Sequence, residues 1–309
     1  MSTELFEYTL QLIENEEVDK KYLKKLRKCL KELGRQCVQL GNLDLAMRAY
    51  SKAFSSCINA KADGDKKSKV FGVYLVANLQ FASHFMGGSR QLCGNIIKVL
   101  ESRPLPNLEL FPKEDQLLYN YYCGMYFMSE DSLERAYSHL KRAFSLINSK
   151  HKLASKILHR LIPLKLLKGE LPSISLLTDF PDLSRYNVAL QSLRSGNLKN
   201  FNNFMIVNQA FLIDQETLFV FEKLQFVVLR HLLKKCFQMA NNSSQVSLNV
   251  FKRAIEVSNQ MEIDDIQYYN WMSNLVERGY LRSNVFLAEQ IIAFDPNNPF
   301  PTLNTISLN

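Results

Sequence analysis

Residues 247–286 read SLNVFKRAIEVSNQMEIDDIQYYNWMSNLVERGYLRSNVF and contain the clearest structural signals in the chain. Ser247 is a residue type that caps helices, and apolar residues follow it at intervals of three and four, at Leu248, Phe251 and Ile255. Because that interval keeps side chains on one side of a helix, we expect an amphipathic helix that starts at the serine and buries its apolar side.

A second helix and two strands are predicted just after it. The helix begins with acids, which interact favourably with a helix N-terminus, and it stops at Gly279, which suits a left-handed cap. The acids are Glu262, Asp264 and Asp265, and the predicted buried stripe is Ile266, Tyr269, Met272 and Val276. Strand-like runs follow at 280–286 and 290–294. Two helices, a glycine and a β-hairpin in this order predict a winged helix.

Upstream of this module the sequence predicts helical hairpins that stack on one another. Leu43, Ala46, Ala53, Phe54 and Ser55 recur 90 positions later as Leu133, Ala136, Ala143, Phe144 and Ser145. Small alanines allow close approach of helices, while leucine and phenylalanine fill the seam. The predicted fold class is an all-α, tetratricopeptide-like solenoid of helical hairpins at 1–215. A linking helix plus winged helix is predicted at 216–303, with a tail at 304–309.

One predicted helix carries many basic residues opposite its apolar stripe. The stripe is Val18, Tyr22, Leu26, Cys29, Leu33 and Cys37, and the basic side is Lys20, Lys21, Lys24, Lys25, Arg27, Lys28, Lys31 and Arg35. A charged side of this kind is commonly just solvated surface. The alternative is a surface for nuclear import or for an acidic protein partner, with Lys24, Lys28 and Lys31 as candidate contacts.

Composition and charge restrict the class of protein. The chain has 309 residues, 47% of them apolar and 22% charged, which is ordinary for a globular protein. Its net charge of +8 predicts an acidic partner, either a nucleic acid or a protein. The six cysteines are scattered, so we expect reduced core thiols. The most apolar segment, 218–239, is interrupted by charges, so we expect an intracellular protein with no membrane partner.

No catalytic, metal or cofactor site is predicted. The five histidines form no H-E-x-x-H motif, and the chain has no glycine-rich phosphate loop and no G-x-S-x-G elbow. A Cys–His pair brought together by folding remains an alternative. Paired carboxylates such as Asp264 and Asp265 are expected to be helix-start acids. We therefore expect no enzyme, no cofactor and no small-molecule substrate.

The winged helix suggests how a nucleic acid would be bound. The expected exposed side of its second helix offers Gln267, Tyr268, Trp271 and Asn274. Base-specific reading in a major groove is disfavoured, because the three acids at the start of this helix would repel the phosphates. The candidate nucleic-acid-binding residues are Lys234, Lys235, Lys252, Arg253, Arg278 and Arg282. For each one, solvation or a surface ion pair is the alternative; as a set they favour backbone contact with RNA or DNA without strong sequence preference. Tyr268 and Trp271 are candidate protein-interface residues.

Several motifs together resemble a known protein family. They are Phe221-Glu222-Lys223-Leu224 with Arg230, Leu232, Lys234 and Lys235; Leu161-Ile162-Pro163-Leu164-Lys165 running into Gly169-Glu170-Leu171-Pro172; Ser195-Gly196-Asn197-Leu198; Ile263-Asp264-Asp265-Ile266; and Asn298-Pro299-Phe300-Pro301. In order and spacing, from about Tyr119 to Leu303, they resemble the PCI-domain group of Thp-one and PCI-domain-containing protein two. The signalosome twelfth-subunit type is a close cousin with nearly the same motifs.

This resemblance implies a fold and a cellular role. The fold is a PCI domain at about 119–303, a hairpin stack that ends in a winged helix. The role is that of a non-catalytic scaffold subunit of the nuclear TREX-2 messenger-RNA export complex. The implied partners are a larger PCI-containing scaffold subunit, a small acidic disordered protein and a nucleic acid on a shared platform. The cousin implies the alternative, a signalosome- or splicing-associated subunit.

Overall fold

The structure is a computed structural model that describes residues 2–15, 21–60 and 68–308. It divides into two compact units, the first made of Met1–Asp131 with Ser138–Ile147 and the second of Ser132–Tyr137 with Asn148–Asn309. Val18 and Lys20, which belong to the predicted stripe and basic side of the first basic helix, lie outside the described residues. The boundary predicted at 215 does not coincide with the division into units, and it stays a prediction.

Unit 1 is built from α-helices that pack against one another. Its helices are α1 (Ser2–Glu14), α2 (Tyr22–Gln39), α3 (Asp44–Ile58), α4 (Val73–Met86), α5 (Cys93–Ser102) and α6 (Lys113–Ser129), while α7 (Leu133–Ser145) contributes residues to both units. Helix α3 packs against α1, α2 and α4. The predicted small-residue seam is present, because Ala46 and Ala53 of α3 are fully covered.

Unit 2 contains shorter helices around one long one. They are α8 (Ala154–Leu167), α9 (Ile174–Asp179), α10 (Asn187–Ser195), α11 (Leu198–Val207), α12 (Gln209–Asp214) and α13 (Leu218–Met239), followed by α14 (Leu248–Asn259) and α15 (Asp265–Glu277). Helix α13 packs against α8, α10, α11 and α14 and is therefore the central element of the unit. The described part of the chain contains no helix apolar and long enough to cross a membrane.

The C-terminal module of unit 2 is a winged helix, as predicted. Its strands are β1 (Gln245–Ser247), β2 (Ser283–Phe286) and β3 (Ile291–Phe294), in the antiparallel order β1-β3-β2. Residue Val246 pairs with Ile292, and Val285 pairs with Ile292 from the other side. The fold class predicted from sequence, helical hairpins followed by a winged helix, is confirmed.

Several details of the module differ from the sequence-based expectations. Strand β1 has no signal in the sequence, because its three residues follow a polar stretch and are too few to show alternation. Helix α14 does begin after Ser247, but the serine side chain makes no capping hydrogen bond. Asp264 does cap α15, since its carboxylate accepts a hydrogen bond from the Gln267 amide at 2.6 Å. Gly279 has a φ of +74° just after that helix, as its predicted role as a left-handed cap requires.

Candidate nucleic-acid interface on the winged helix

An aromatic cluster fixes the winged helix to α13. Phe237 of α13 lies 4.7 Å from the Phe294 ring of β3 and 5.6 Å from Phe300, measured between ring centroids. Phe251 of α14 lies 5.8 Å from Phe294 on its other side. Aromatic pairs at these separations contribute attraction beyond the area they bury. The basic residues of α13 and of the winged helix therefore lie on elements that pack directly against each other.

Arg230 anchors the segment that follows the sheet. Its side chain is buried, and its Nη2 donates hydrogen bonds to the carbonyl oxygens of Phe300 at 3.3 Å and Pro301 at 2.6 Å. Both residues belong to the Asn298-Pro299-Phe300-Pro301 motif. The motif therefore holds the end of the module against α13, which explains why it occurs together with an arginine on the long helix.

Two of the six candidate cations are exposed and available to bind a phosphate group. Lys234 on the outer side of α13 and Arg282 before β2 are both exposed, and neither side chain makes a hydrogen bond or ion pair within the described residues. The Arg282 backbone is held in place, because its amide donates to the Pro299 carbonyl at 2.9 Å. A fixed backbone with an unengaged cationic side chain suits contact with a nucleic-acid backbone.

The other four candidate cations already have partners. Lys252 Nζ lies 2.6 Å from the Asp265 carboxylate, which raises the pKa of Lys252, and Arg253 pairs with Glu256 at 3.4 Å. Lys235 Nζ donates to the Ser195 carbonyl at the end of α10, at 2.9 Å. The Arg278 guanidinium lies 4.9 Å from the centre of the Phe226 ring. Such contacts compete with phosphate, so these four are weaker candidates.

The predicted interface role of Tyr268 is wrong, because its side chain is 1% exposed. Its hydroxyl donates to the Leu248 carbonyl at 2.9 Å and ties α15 to the start of α14. Tyr269, predicted to be buried, is only half-buried, and Ile266 is exposed. Trp271 is half-buried and lines a void of about 10 Å³ beside Phe226 and Leu229 of α13. The buried stripe of α15 is therefore rotated from the predicted one.

The basic side of α2 in unit 1 is partly neutralised. Lys24 and Lys28 are exposed and have no hydrogen bond or ion pair in the described part of the chain, whereas Lys31 pairs with Glu114 at 3.0 Å. Arg27 was expected on the exposed side, but it pairs with the buried Asp115. The acidic-partner surface predicted here is thus reduced, and its function stays a prediction.

One polar constellation in unit 2 resembles a catalytic set and was not singled out from sequence. His159 Nε2 lies 2.9 Å from the Asp182 carboxylate, and its Nδ1 lies 3.0 Å from the Tyr186 hydroxyl. Burial lowers the pKa of His159, while Asp182 opposes that shift. Ser155 donates its hydrogen bond to Asp182 and not to the imidazole. Ser155 could act as a nucleophile only if the imidazole of His159 accepted its proton directly, and the two side chains are not bonded to each other. This geometry therefore favours a structural network that joins α8 to residues 181–186.

The six cysteines are all free thiols. Cys37, Cys57, Cys93 and Cys123 are buried, as expected of core thiols, and burial raises the pKa of Cys57 to about 12. Among the described residues, no group of three or more His, Cys, Asp or Glu side chains has an arrangement that could hold a metal ion.

The sequence of this chain is similar to those of several known proteins. No family model matches the chain. A CSN12 homolog of Schizosaccharomyces pombe is 26% identical over 84% of the chain and 62% of its own length. A PCI domain-containing protein 2 homolog of Dictyostelium discoideum is 29% identical over 84% and 61%, and PCI domain-containing protein 2 of Xenopus laevis is 26% identical over 85% and 65%. The chain thus spans about three fifths of the length of these relatives, and the resemblance found in its motifs is confirmed.

Proposed function

Because the chain is related to the proteins named PCI domain-containing protein 2 and CSN12 homolog, we propose that it is a non-catalytic scaffold subunit of a TREX-2-type messenger-RNA export complex. The observation that carries the proposal is the combination of these relatives with a winged helix fixed to a long buried helix. Scaffolds of this kind act in multi-subunit assemblies. A nuclear location is part of this proposal, because messenger-RNA export starts in the nucleus.

The proposed partners are a larger PCI-containing scaffold subunit and a small acidic disordered protein. A net charge of +8 supports an acidic partner of either kind, protein or nucleic acid. RNA or DNA would be bound without strong sequence preference, through Lys234 and Arg282. Of the six candidate cations, these two are exposed and have no partner among the described residues. The acids at the start of α15 oppose base reading in a major groove, so contact with the phosphate backbone fits better.

A signalosome- or splicing-associated scaffold of the twelfth-subunit type is the second candidate. The specific observation in its favour is the CSN12 name of the Schizosaccharomyces pombe relative, whose 26% identity to this chain equals that of PCI domain-containing protein 2 of Xenopus laevis. The two candidates share one fold and one mode of assembly, so they differ in partners and not in chemistry.

Affinity purification of the tagged chain from cells separates the two candidates. Mass spectrometry of the recovered proteins should identify messenger-RNA export factors if the leading proposal is correct. Recovery of signalosome subunits or splicing factors in their place would reject the leading proposal and support the second. The Phe237→Asp variant removes the ring contacts that attach the winged helix to α13. Purified in the same way, this variant should no longer recover the partners that bind through the winged helix.

A further inference from the structure

Unit 2 contains a cavity of about 540 Å³ away from the winged-helix sheet. It lies where the end of α8, the end of α10, the middle of α13 and the C-terminal residues 302–304 meet. Cavities of 300–1,000 Å³ are the usual size of small-molecule sites. Its apolar walls are formed by Leu166, Leu171, Leu193, Val227 and Leu303.

One wall of the cavity carries a buried charge without a counter-ion. Arg230 is 4% exposed, and its guanidinium is bonded to two carbonyl oxygens but to no carboxylate in the described part of the chain. Its Nε has no hydrogen-bond partner there either. Burial lowers the pKa of Arg230, yet a guanidinium stays protonated in proteins. A buried charge of this kind is costly unless an anion approaches it.

The remaining charges around the cavity do not supply that anion. Arg194, at the end of α10, is exposed and makes no ion pair within the described residues. Lys168 is paired with Glu134 at 2.9 Å. Glu170 lines the cavity, but Lys165 lies 3.4 Å from its carboxylate, which also accepts a hydrogen bond from Tyr137. Two arginines are therefore left uncompensated.

His231 adds no positive charge beside them. Burial and the nearby Arg230 lower the pKa of His231 to about 4, so its ring is neutral near pH 7. Its Nδ1 is buried and has no hydrogen-bond partner in the structure. Since His231 is a neutral neighbour, Arg194 and Arg230 are the two uncompensated cations that line the polar end of the cavity.

We propose that this cavity binds a phosphate monoester attached to an apolar body, with the phosphate near Arg194 and Arg230 and the apolar body against the leucine and valine walls. A phosphate monoester carries close to two negative charges at pH 7, which matches the two uncompensated arginines. The guanidinium group is also well suited to phosphate geometry. The monoester can come from a free small molecule or from a phosphorylated side chain of a partner. The inference does not depend on the proposed export function.

Titration of the full chain with phenyl phosphate tests the site, with inorganic phosphate and benzoate as comparison ligands. We expect saturable binding of phenyl phosphate, at least tenfold tighter than either comparison ligand, and a shift of the His231 ring signals in NMR spectra. A phosphotyrosine peptide forms the second arm of the experiment. Tighter binding of the peptide than of phenyl phosphate would assign the site to a phosphorylated partner, and equal or weaker binding would assign it to a free small molecule.

Two alanine variants keep the test specific. Arg194→Ala removes an exposed cation with no structural partner, so it should fold normally and bind phenyl phosphate at least tenfold more weakly. Lys234→Ala removes the same charge outside the cavity and should bind as the parent does. Equal loss of affinity for phenyl phosphate in both variants would show that the binding is non-specific charge attraction, and it would overturn the proposal. The absence of saturable binding to the parent chain would overturn it as well.

Discussion

Arg27 of α2 and Asp115 of α6 form a two-pronged ion pair inside unit 1. The guanidinium Nη1 donates to Asp115 Oδ1 at 2.9 Å, and Nη2 donates to Oδ2 at 2.5 Å. The Asp115 side chain is fully buried, whereas that of Arg27 is 26% exposed. Paired donors of this geometry give strong, directional hydrogen bonds. The pair therefore fixes how two helices far apart in sequence pack together.

Loss of this arginine should destabilise unit 1. Arg27→Met keeps the aliphatic stem but leaves a buried carboxylate without its partner, so we expect the free energy of unfolding to fall by about 2 kcal/mol. Urea denaturation followed by circular dichroism measures the change. Lys24→Met, on the exposed side of the same helix, is the matched control and should change stability by less than about 0.5 kcal/mol. Equal effects of the two substitutions would refute the role given to the pair.

Two glycines with the same backbone conformation should respond differently to alanine. Gly196 and Gly279 both have a φ of +74°. A Cβ at Gly279 would meet no atom within 4 Å, so Gly279→Ala should cost only the conformational strain, about 1 kcal/mol. A Cβ at Gly196 would lie 2.8 Å from Leu232 Cα on α13, so Gly196→Ala should cost roughly 3 kcal/mol. Similar unfolding midpoints for the two variants would contradict this close approach of α10 to α13.

His231 should make the protein less stable in mild acid. Its pKa falls from the usual 6.5 to about 4 on folding, so between these pH values the unfolded chain binds a proton that the folded chain does not. Stability should therefore be full above about pH 6.5 and decrease as the pH falls towards 4. The difference in unfolding free energy between the parent and His231→Gln should shrink by roughly 2 kcal/mol over that interval. A difference independent of pH would show that the histidine is not buried in its neutral form.

Nucleic-acid binding should depend on where cations lie and not on net charge alone. Lys234→Glu combined with Arg282→Glu should weaken binding of single-stranded RNA and reduce the slope of log affinity against log salt by roughly 1.4 units, about 0.7 for each lost phosphate contact. Lys24→Glu with Lys28→Glu makes the same change in charge on unit 1 and serves as the control. Fluorescence anisotropy at several salt concentrations measures both. Equal losses in the two double variants would argue against the winged helix as the binding surface.

The helices of the module could be predicted because their apolar spacing and end signals agree. In α14, the predicted apolar residues Leu248, Phe251 and Ile255 are all fully buried. Helix α15 ends just before Gly279, as a glycine at that position predicts. The phase of α15 could not be predicted in the same way. Tyr268 and Tyr269 are adjacent and chemically alike, so the sequence does not say which one faces the core. The hydrogen bond from Tyr268 to the Leu248 carbonyl decides it, and that bond exists only in the folded state.

Charge pairing was the other feature that the sequence could not reveal. Arg27 looks like its lysine neighbours in sequence, and its partner Asp115 is 88 positions away. The same holds for the cavity in unit 2, where Arg194 and Arg230 come from different helices and no local pattern connects them. Motifs that lie within one helix are therefore readable from sequence, whereas sites built by several helices need the three-dimensional arrangement.

We propose that this chain is a scaffold that assembles with a larger PCI-containing protein. Mass spectrometry of intact complexes, purified through a tag on the chain, tests it most directly. We predict a complex that contains the 35.7 kDa chain and one larger PCI-containing subunit in equal numbers. Recovery of the chain alone, or with partners none of which has a PCI domain, would rule out this assembly.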